Sequence, residues 1–154
     1  MNIQDQVRLS SVKRWHLIDT LKELSVAEHT LNVMLIVREV YTRLGWKVMG
    51  DQFNDVLDHD MDEVLTGDIP SPAKPKKDWS EVSTEYLILK ACDIVEGLVF
   101  INHYGMGPSG DHARRYMMDQ FNDILPHLDL KQRTVIREVY DQLMYGALSH
   151  AEET

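Results

Sequence analysis

The chain has 154 residues, enough for one domain with a buried core and one internal site. Sixteen basic against 25 acidic residues leave a net charge of −9, which argues against an extended phosphate-backbone footprint and so against nucleic acid as a partner. The single cysteine, Cys92, cannot pair within the chain, and no apolar run approaches the roughly 20 residues of a membrane span; a cytoplasmic protein with no membrane partner is expected.

The first predicted helix runs from about Val7 to Leu24. The second covers Val26 to Leu44, where Val33, Met34, Val37, Val40, Tyr41 and Leu44 form one apolar stripe and Gly45 stops the helix. The third carries Phe53, Leu57, Met61, Val64 and Leu65 on one side and ends at Gly67. Between Gly67 and Asp78, prolines 70, 72 and 75 rule out helix, and lysines 74, 76 and 77 make the segment basic.

The fourth helix spans about Ser80 to His103 and carries Tyr86, Leu87, Leu89, Ile94, Leu98 and Ile101. A flexible turn is expected from Gly105 to Gly110. The fifth helix runs from near Ser109 to Leu125 and stops at Pro126. The sixth begins at Asp129, with Gln132 placed three residues on to close a capping box, and buries Ile136, Val139, Tyr140, Leu143 and Ala147. No period-2 run of β-branched residues appears. The expectation is an all-α domain over residues 1–154, a bundle of about six helices with no strands.

Charged residues fall on these apolar stripes, where an unpaired charge is expensive. Asp60 lies in the row Phe53, Leu57, Asp60, Met61, Val64. His59 is its neighbour, and Glu63 stacks one turn above both. Asp93 sits four residues after Leu89, and His29 one turn before Val33. A metal ion shared among the three helices would satisfy these groups at least cost, and imidazole with carboxylate suits a divalent transition ion: manganese, cobalt, iron, nickel or zinc.

Taken singly, each residue has an ordinary reading. His29 serves as a cap or a hydrogen-bonded core residue, and Asp93 pairs with Lys90 at the surface. The order His, His-Asp, Asp on three consecutive inward-facing segments is what points to a metal. No His-Glu-x-x-His, Glu-x-x-His or P-loop sequence is present, and Cys92 is read as core filling.

The stretches Arg14-Trp15, Ala27-Glu28-His29, His59-Asp60-x-x-Glu63-Val64-Leu65-Thr66-Gly67-Asp68-x-Pro70-x-Pro72-x-Lys74 and Lys90-Ala91-x-Asp93 resemble the HD-domain 5′-deoxynucleotidases and the compact phage dATP triphosphohydrolases of the same superfamily. The resemblance spans about residues 14–95 and implies a single HD-domain fold. It implies that His29, His59, Asp60 and Asp93 bind one divalent metal and that Glu63 positions or deprotonates the attacking water. It further implies that Arg14 contacts the phosphate, that Trp15 packs on the sugar where it disfavours a 2′-hydroxyl, and that Asp68 accepts a hydrogen bond from the 3′-hydroxyl. On sequence alone Trp15 is equally an ordinary core aromatic.

The resemblance leads to dATP triphosphohydrolase as the first reading, with 5′-deoxynucleotidase acting on monophosphates as the alternative and a non-catalytic helical binding module as a third. A triphosphate brings about three more negative charges, for which Lys74, Lys76, Lys77 and the pair Arg114-Arg115 are candidate counter-charges, Lys74 foremost. His16, Leu17 and Ile18 are candidates to line a base pocket. A homo-oligomer is also implied, compatible with Tyr104, Met106, Tyr116, Met117 and Met118 as either interface or core.

Overall fold

In chain order the elements are α1 (Ile3–Val7), a 3-10 turn (Arg8–Ser11), β1 (Lys13–Arg14), β2 (Leu24–Ser25), α2 (Val26–Leu44), α3 (Gly50–Asp58), α4 (Glu63–Thr66), α5 (Thr84–Tyr104), α6 (Gly107–Ile124), a second 3-10 turn (Leu125–His127) and α7 (Leu130–Glu152). They are taken from a computed structural model that describes residues 2–67 and 77–152, with side chains as far as Gly146. The fold class is all-α, as expected. None of these helices is long and apolar enough to cross a membrane.

Ser25 sets where α2 begins. Its hydroxyl accepts from the Glu28 amide at 3.1 Å, and the Glu28 carboxylate accepts from the Ser25 amide at 2.8 Å, a reciprocal cap that fixes the first turn. His29 therefore sits at the end of that turn, with Val33, Val37, Val40 and Leu44 continuing its buried side. At the other end Gly45 takes φ 74°, a conformation that costs a side chain energy but not glycine, and its amide closes onto Tyr41 and Thr42.

α5 is the central helix. It is apolar almost all round, with Leu87, Ile88, Leu89, Ala91, Cys92, Ile94, Val95, Leu98, Phe100 and Ile101 buried, and it packs against α2, α6 and α7. Each fully buried Ile or Leu contributes about 1.5–3 kcal/mol relative to exposure. α7 starts as its sequence foretells: Gln132 accepts from the Asp129 amide at 3.0 Å and its own amide donates to Asp129 at 2.8 Å.

Four expectations need correction. On α7, Leu143 is 40% exposed rather than on the buried face, and the side chain of Ala147 lies outside the described residues. The helix from Val7 to Leu24 does not form. After one turn of α1 and the 3-10 turn, the chain becomes a strap that pairs Lys13–Arg14 with Leu24–Ser25. The strap then pins to the corner between α5 and α6, where Leu21 N donates to Tyr104 O at 2.9 Å and Met106 N to Asp19 O at 2.8 Å. Those partners lie far away in sequence, so local spacing could not announce them.

The expected third helix is interrupted. α3 ends at Asp58, residues 59–62 form a turn, and α4 is a single turn ending at Gly67. Its apolar row is also the wrong one: Phe53, Leu57 and Leu65 are exposed, and the inward row is Val56, Asp60 and Glu63. Lastly, α6 begins at Gly107, inside the expected flexible turn. A Cβ on Gly110 would lie 2.9 Å from the Gly105 carbonyl carbon, so glycine there lets α6 close tightly onto the end of α5.

Candidate metal centre

His29 comes from the first turn of α2, His59 and Asp60 from the turn after α3, and Asp93 from the middle of α5. One ligand atom from each lies within 4.8 Å of the others. These are the four residues that the sequence proposes as ligands. Asp60 Oδ2 is 3.3 Å from His29 Nε2 and 3.2 Å from His59 Nε2, and Asp93 Oδ1 is 2.9 Å from His29 Nε2.

The decisive geometry lies in the two rings. His59 Nδ1 meets the carbonyl oxygen of Val56, which can only accept, so that nitrogen carries a proton. His29 Nδ1 meets Glu96 Oε2 at 2.5 Å, again an acceptor. In the neutral rings both Nε2 atoms then present lone pairs, and they face each other at 3.4 Å beside two carboxylates. Asp93 Oδ1 is buried with no hydrogen-bond donor. With both rings neutral, four electron-pair donors converge on one point, an arrangement that a cation, proton or metal, fits, and two nitrogens with two carboxylates suit a divalent transition ion.

Electrostatics agree. Burial and Arg14 oppose a charge on His29, but Glu96, Asp60 and Asp93 outweigh them and lift it to about 10. Burial raises Asp60, yet His29, His59 and Arg14 bring it down to about 2. Burial likewise raises Asp93, and Lys90, His29 and His59 take it well below the carboxylate range. The pocket thus stabilises one positive charge among its ligands, whether a proton or a metal ion.

Lys90 pairs with Asp93 at 2.5 Å through Oδ2, leaving Oδ1 to face the histidines. The surface reading of that pair is only half right, since Asp93 also belongs to the cluster and is 9% exposed. Arg14, on β1, points its guanidinium at the same carboxylates, 3.5 Å from Asp60 and 3.7 Å from Asp93. Glu63 is buried at 2% exposure on α4, one turn past His59 and Asp60.

Trp15 follows Arg14 with φ 62°, the one non-glycine residue with positive φ among those described. Such a conformation is sparsely populated and costs energy, so packing must impose it. The ring stacks on Phe100 with 5° between planes and 6.5 Å between centroids. It also reaches Gly97, one turn beyond Asp93: a Cβ there would meet Trp15 Cζ2 at 3.3 Å and the Met117 sulfur at 2.9 Å. Trp15 is therefore half-buried, packed between Phe100 and Gly97 directly after Arg14.

Asp68 and Lys74 lie outside the described residues, as does Lys76. Lys77 donates to the Tyr86 hydroxyl at 2.7 Å and lies over the Tyr86 ring. Arg114 is engaged by Asn102, Asp111 and the Ile101 carbonyl, which makes it a brace between α5 and α6. His16 and Leu17 are exposed, whereas Ile18 packs beside Trp15 on a small cluster with Leu24, Phe100 and Ile101. Met117 is core, and Tyr104, Tyr116 and Met118 pack against buried clusters. The sequence reading passed over Glu96, although a lone carboxylate in an apolar run, one turn past Asp93, was a usable signal.

Residues 4–91 match the model of the YfbR-like 5′-deoxynucleotidase family. The chain belongs to that family. A dATP triphosphohydrolase of Acinetobacter phage SH-Ab 15497 is 28% identical over 75% of this chain and 73% of its own. One of Cyanophage S-2L is 24% identical over 92% and 90%. The 5′-deoxynucleotidase YfbR of Salmonella arizonae is 33% identical, over 51% of this chain and 41% of its own. Among solved structures, the Cyanophage S-2L HD phosphohydrolase, bound to dA and one catalytic Zn2+ ion, superposes with a TM-score of 0.82 over 95% of this chain and 98% of that one, at 20% identity. That likeness establishes the HD-type helical fold for this family member.

Proposed function

We propose that this family member is a metal-dependent dATP triphosphohydrolase, converting dATP and water to deoxyadenosine and triphosphate. The observation that carries the metal-dependent chemistry is the pair of facing Nε2 atoms at 3.4 Å flanked by Asp60 and Asp93. The triphosphate reading is favoured because relatives bearing that name match three-quarters or more of the chain, whereas 5′-deoxynucleotidase relatives match 51% to 63% of it.

His29, His59, Asp60 and Asp93 would hold one divalent ion, of cobalt, manganese, zinc, iron or nickel. When bound, such an ion neutralises charge on the phosphoryl oxygens and acidifies water. Glu63 takes a proton from the water that attacks the α-phosphorus, and the new O–P bond forms. The bond from phosphorus to the 5′-oxygen breaks as that oxygen takes the proton back from Glu63, so one water is consumed and Glu63 is regenerated. Arg14, held at the rim by Asp60 and Asp93, neutralises the phosphoryl group. Trp15 packs on the sugar where a 2′-hydroxyl would sit, Asp68 accepts from the 3′-hydroxyl, and Lys74 offsets the added charge of the triphosphate.

The alternative, a 5′-deoxynucleotidase, breaks the same bond in a monophosphate and is favoured by the family match itself. We place the enzyme in the cytoplasm of a bacterium or phage-infected host, as one domain over residues 1–154 and as a homo-oligomer. Exposed Leu35 and Leu143 line one groove between α2 and α7, and Leu31 lies one turn before Leu35, which supports a self-association face.

Incubation with cobalt or manganese and dATP, dAMP, dGTP and ATP, followed by anion exchange, tests the substrate. Triphosphate from dATP with little reaction of ATP is the expected result. Orthophosphate from dAMP with dATP untouched would replace it by the alternative.

A further inference from the structure

We infer that Glu96 is a positioning residue of the metal centre, holding the His29 ring so that Nε2 rather than Nδ1 faces the ion. The inference rests on the proposed metal site and assigns a residue outside its ligands.

Glu96 is 5% exposed within an apolar helix, where a carboxylate is costly unless something compensates it. Its Oε2 lies 2.5 Å from His29 Nδ1, and its Oε1 receives a longer contact, 3.4 Å, from the Asn32 side-chain amide. The register is paired. On α2 the ligand His29 is followed three residues later by Asn32; on α5 the ligand Asp93 is followed three residues later by Glu96. One turn of each helix supplies a ligand and the next turn supplies support for His29. His29 is wholly buried, so its ring has no water to orient it, and Glu96 is the acceptor that meets Nδ1, the nitrogen turned away from the other ligands.

The two imidazoles are thus held differently. His59 Nδ1 donates to a backbone carbonyl, which no substitution removes and which carries no charge. His29 Nδ1 donates to a carboxylate, which both orients the ring and raises the electron-donating power of Nε2. Loss of such a partner weakens metal affinity roughly 10- to 100-fold in comparable sites.

The test uses the full chain and the metal alone. Affinities for zinc are measured by chelator competition for the parent, E96A and E96Q, together with the cobalt absorption spectrum and the melting temperature of each metal-free protein. E96Q keeps an acceptor for the Nδ1 proton and loses the charge, so the expected order of affinity is parent, then E96Q, then E96A, with E96A roughly 10- to 100-fold weaker and its cobalt spectrum altered. Parent-like affinity and spectrum in the variants overturn the inference, even if their melting temperatures fall. Should E96A not fold, E96Q decides alone: a weaker affinity supports the role and parent-like binding removes it. A parent that binds neither ion overturns the metal reading along with it, an outcome distinct from parent binding that the variants share.

Discussion

His29 and His59 come from segments 30 residues apart, yet their Nε2 atoms face each other at 3.4 Å with both Nδ1 atoms already engaged. With both rings neutral, two lone pairs held that close call for a positive charge between them, and Asp60 and Asp93 add two more acceptors. Breaking up this cluster should therefore release metal before it unfolds the protein. Asp60→Ala is expected to lose stoichiometric metal, read by elemental analysis after dialysis, and all turnover. A variant with full activity would sink the site assignment.

Glu63→Gln isolates chemistry from binding. The amide has nearly the same shape but does not take a proton from water, so metal content and melting temperature should stay near the parent while kcat falls roughly 10²- to 10⁴-fold. Unchanged kcat would mean that another group handles the water.

Stability of the metal-free protein should depend on pH through His29. Its pKa is raised from 6.5 to about 10, so the folded state binds that proton more tightly than the unfolded chain. The contribution is fully present below about 6.5 and is lost as pH climbs through about 10. Asp60, lowered from 3.8 to about 2, acts in the opposite sense: its contribution is present above 3.8 and is lost as pH falls through about 2. Melting temperatures in EDTA should peak between these limits, and saturating zinc should flatten the alkaline decline because the ion replaces the proton. Identical alkaline declines with and without zinc would contradict this.

Trp15 offers a backbone test. Trp15→Ala and Trp15→Gly both remove the ring from Phe100, but only glycine adopts φ 62° freely. The glycine variant is expected to be the more stable of the two by about 1 kcal/mol in urea denaturation. Both should narrow the preference for deoxyribose over ribose, and unchanged discrimination would return Trp15 to a purely structural role.

Gly97→Ala should push Met117 and Trp15 aside. Because the end of a methionine can rotate away, the packing cost is expected at the low end for overpacking, about 1 kcal/mol. Alanine also gains about 1 kcal/mol over glycine inside a helix, so the net change in chemical denaturation should be near zero. A net stabilisation of about 1 kcal/mol would show that the α5–α6 contact is looser than the distances imply.

Beyond the four-ligand set, which the family resemblance implied, the sequence by itself determined the all-α class, the ends of α2, the start of α7 and the charged residues His29, His59, Asp60, Glu63 and Asp93 on inward stripes. These are local or compositional matters. Gly45 and the Asp129–Gln132 pair act within one turn, and a carboxylate or imidazole on a helical stripe is visible as an exception to its own pattern. What only the tertiary structure decided depends on partners distant in the chain. The strap carrying Arg14 and Trp15 is shaped by bonds to Tyr104 and Asp19–Met106, not by its own periodicity. The inward row of the 53–65 segment is Val56, Asp60 and Glu63, with Phe53 and Leu57 outward; Asp60 meets His29, a residue 31 positions earlier that the segment's own pattern does not announce. Glu96 is visible in the sequence as a carboxylate in an apolar run, but its partner is His29, 67 residues away, and only packing α5 against α2 brings the two together.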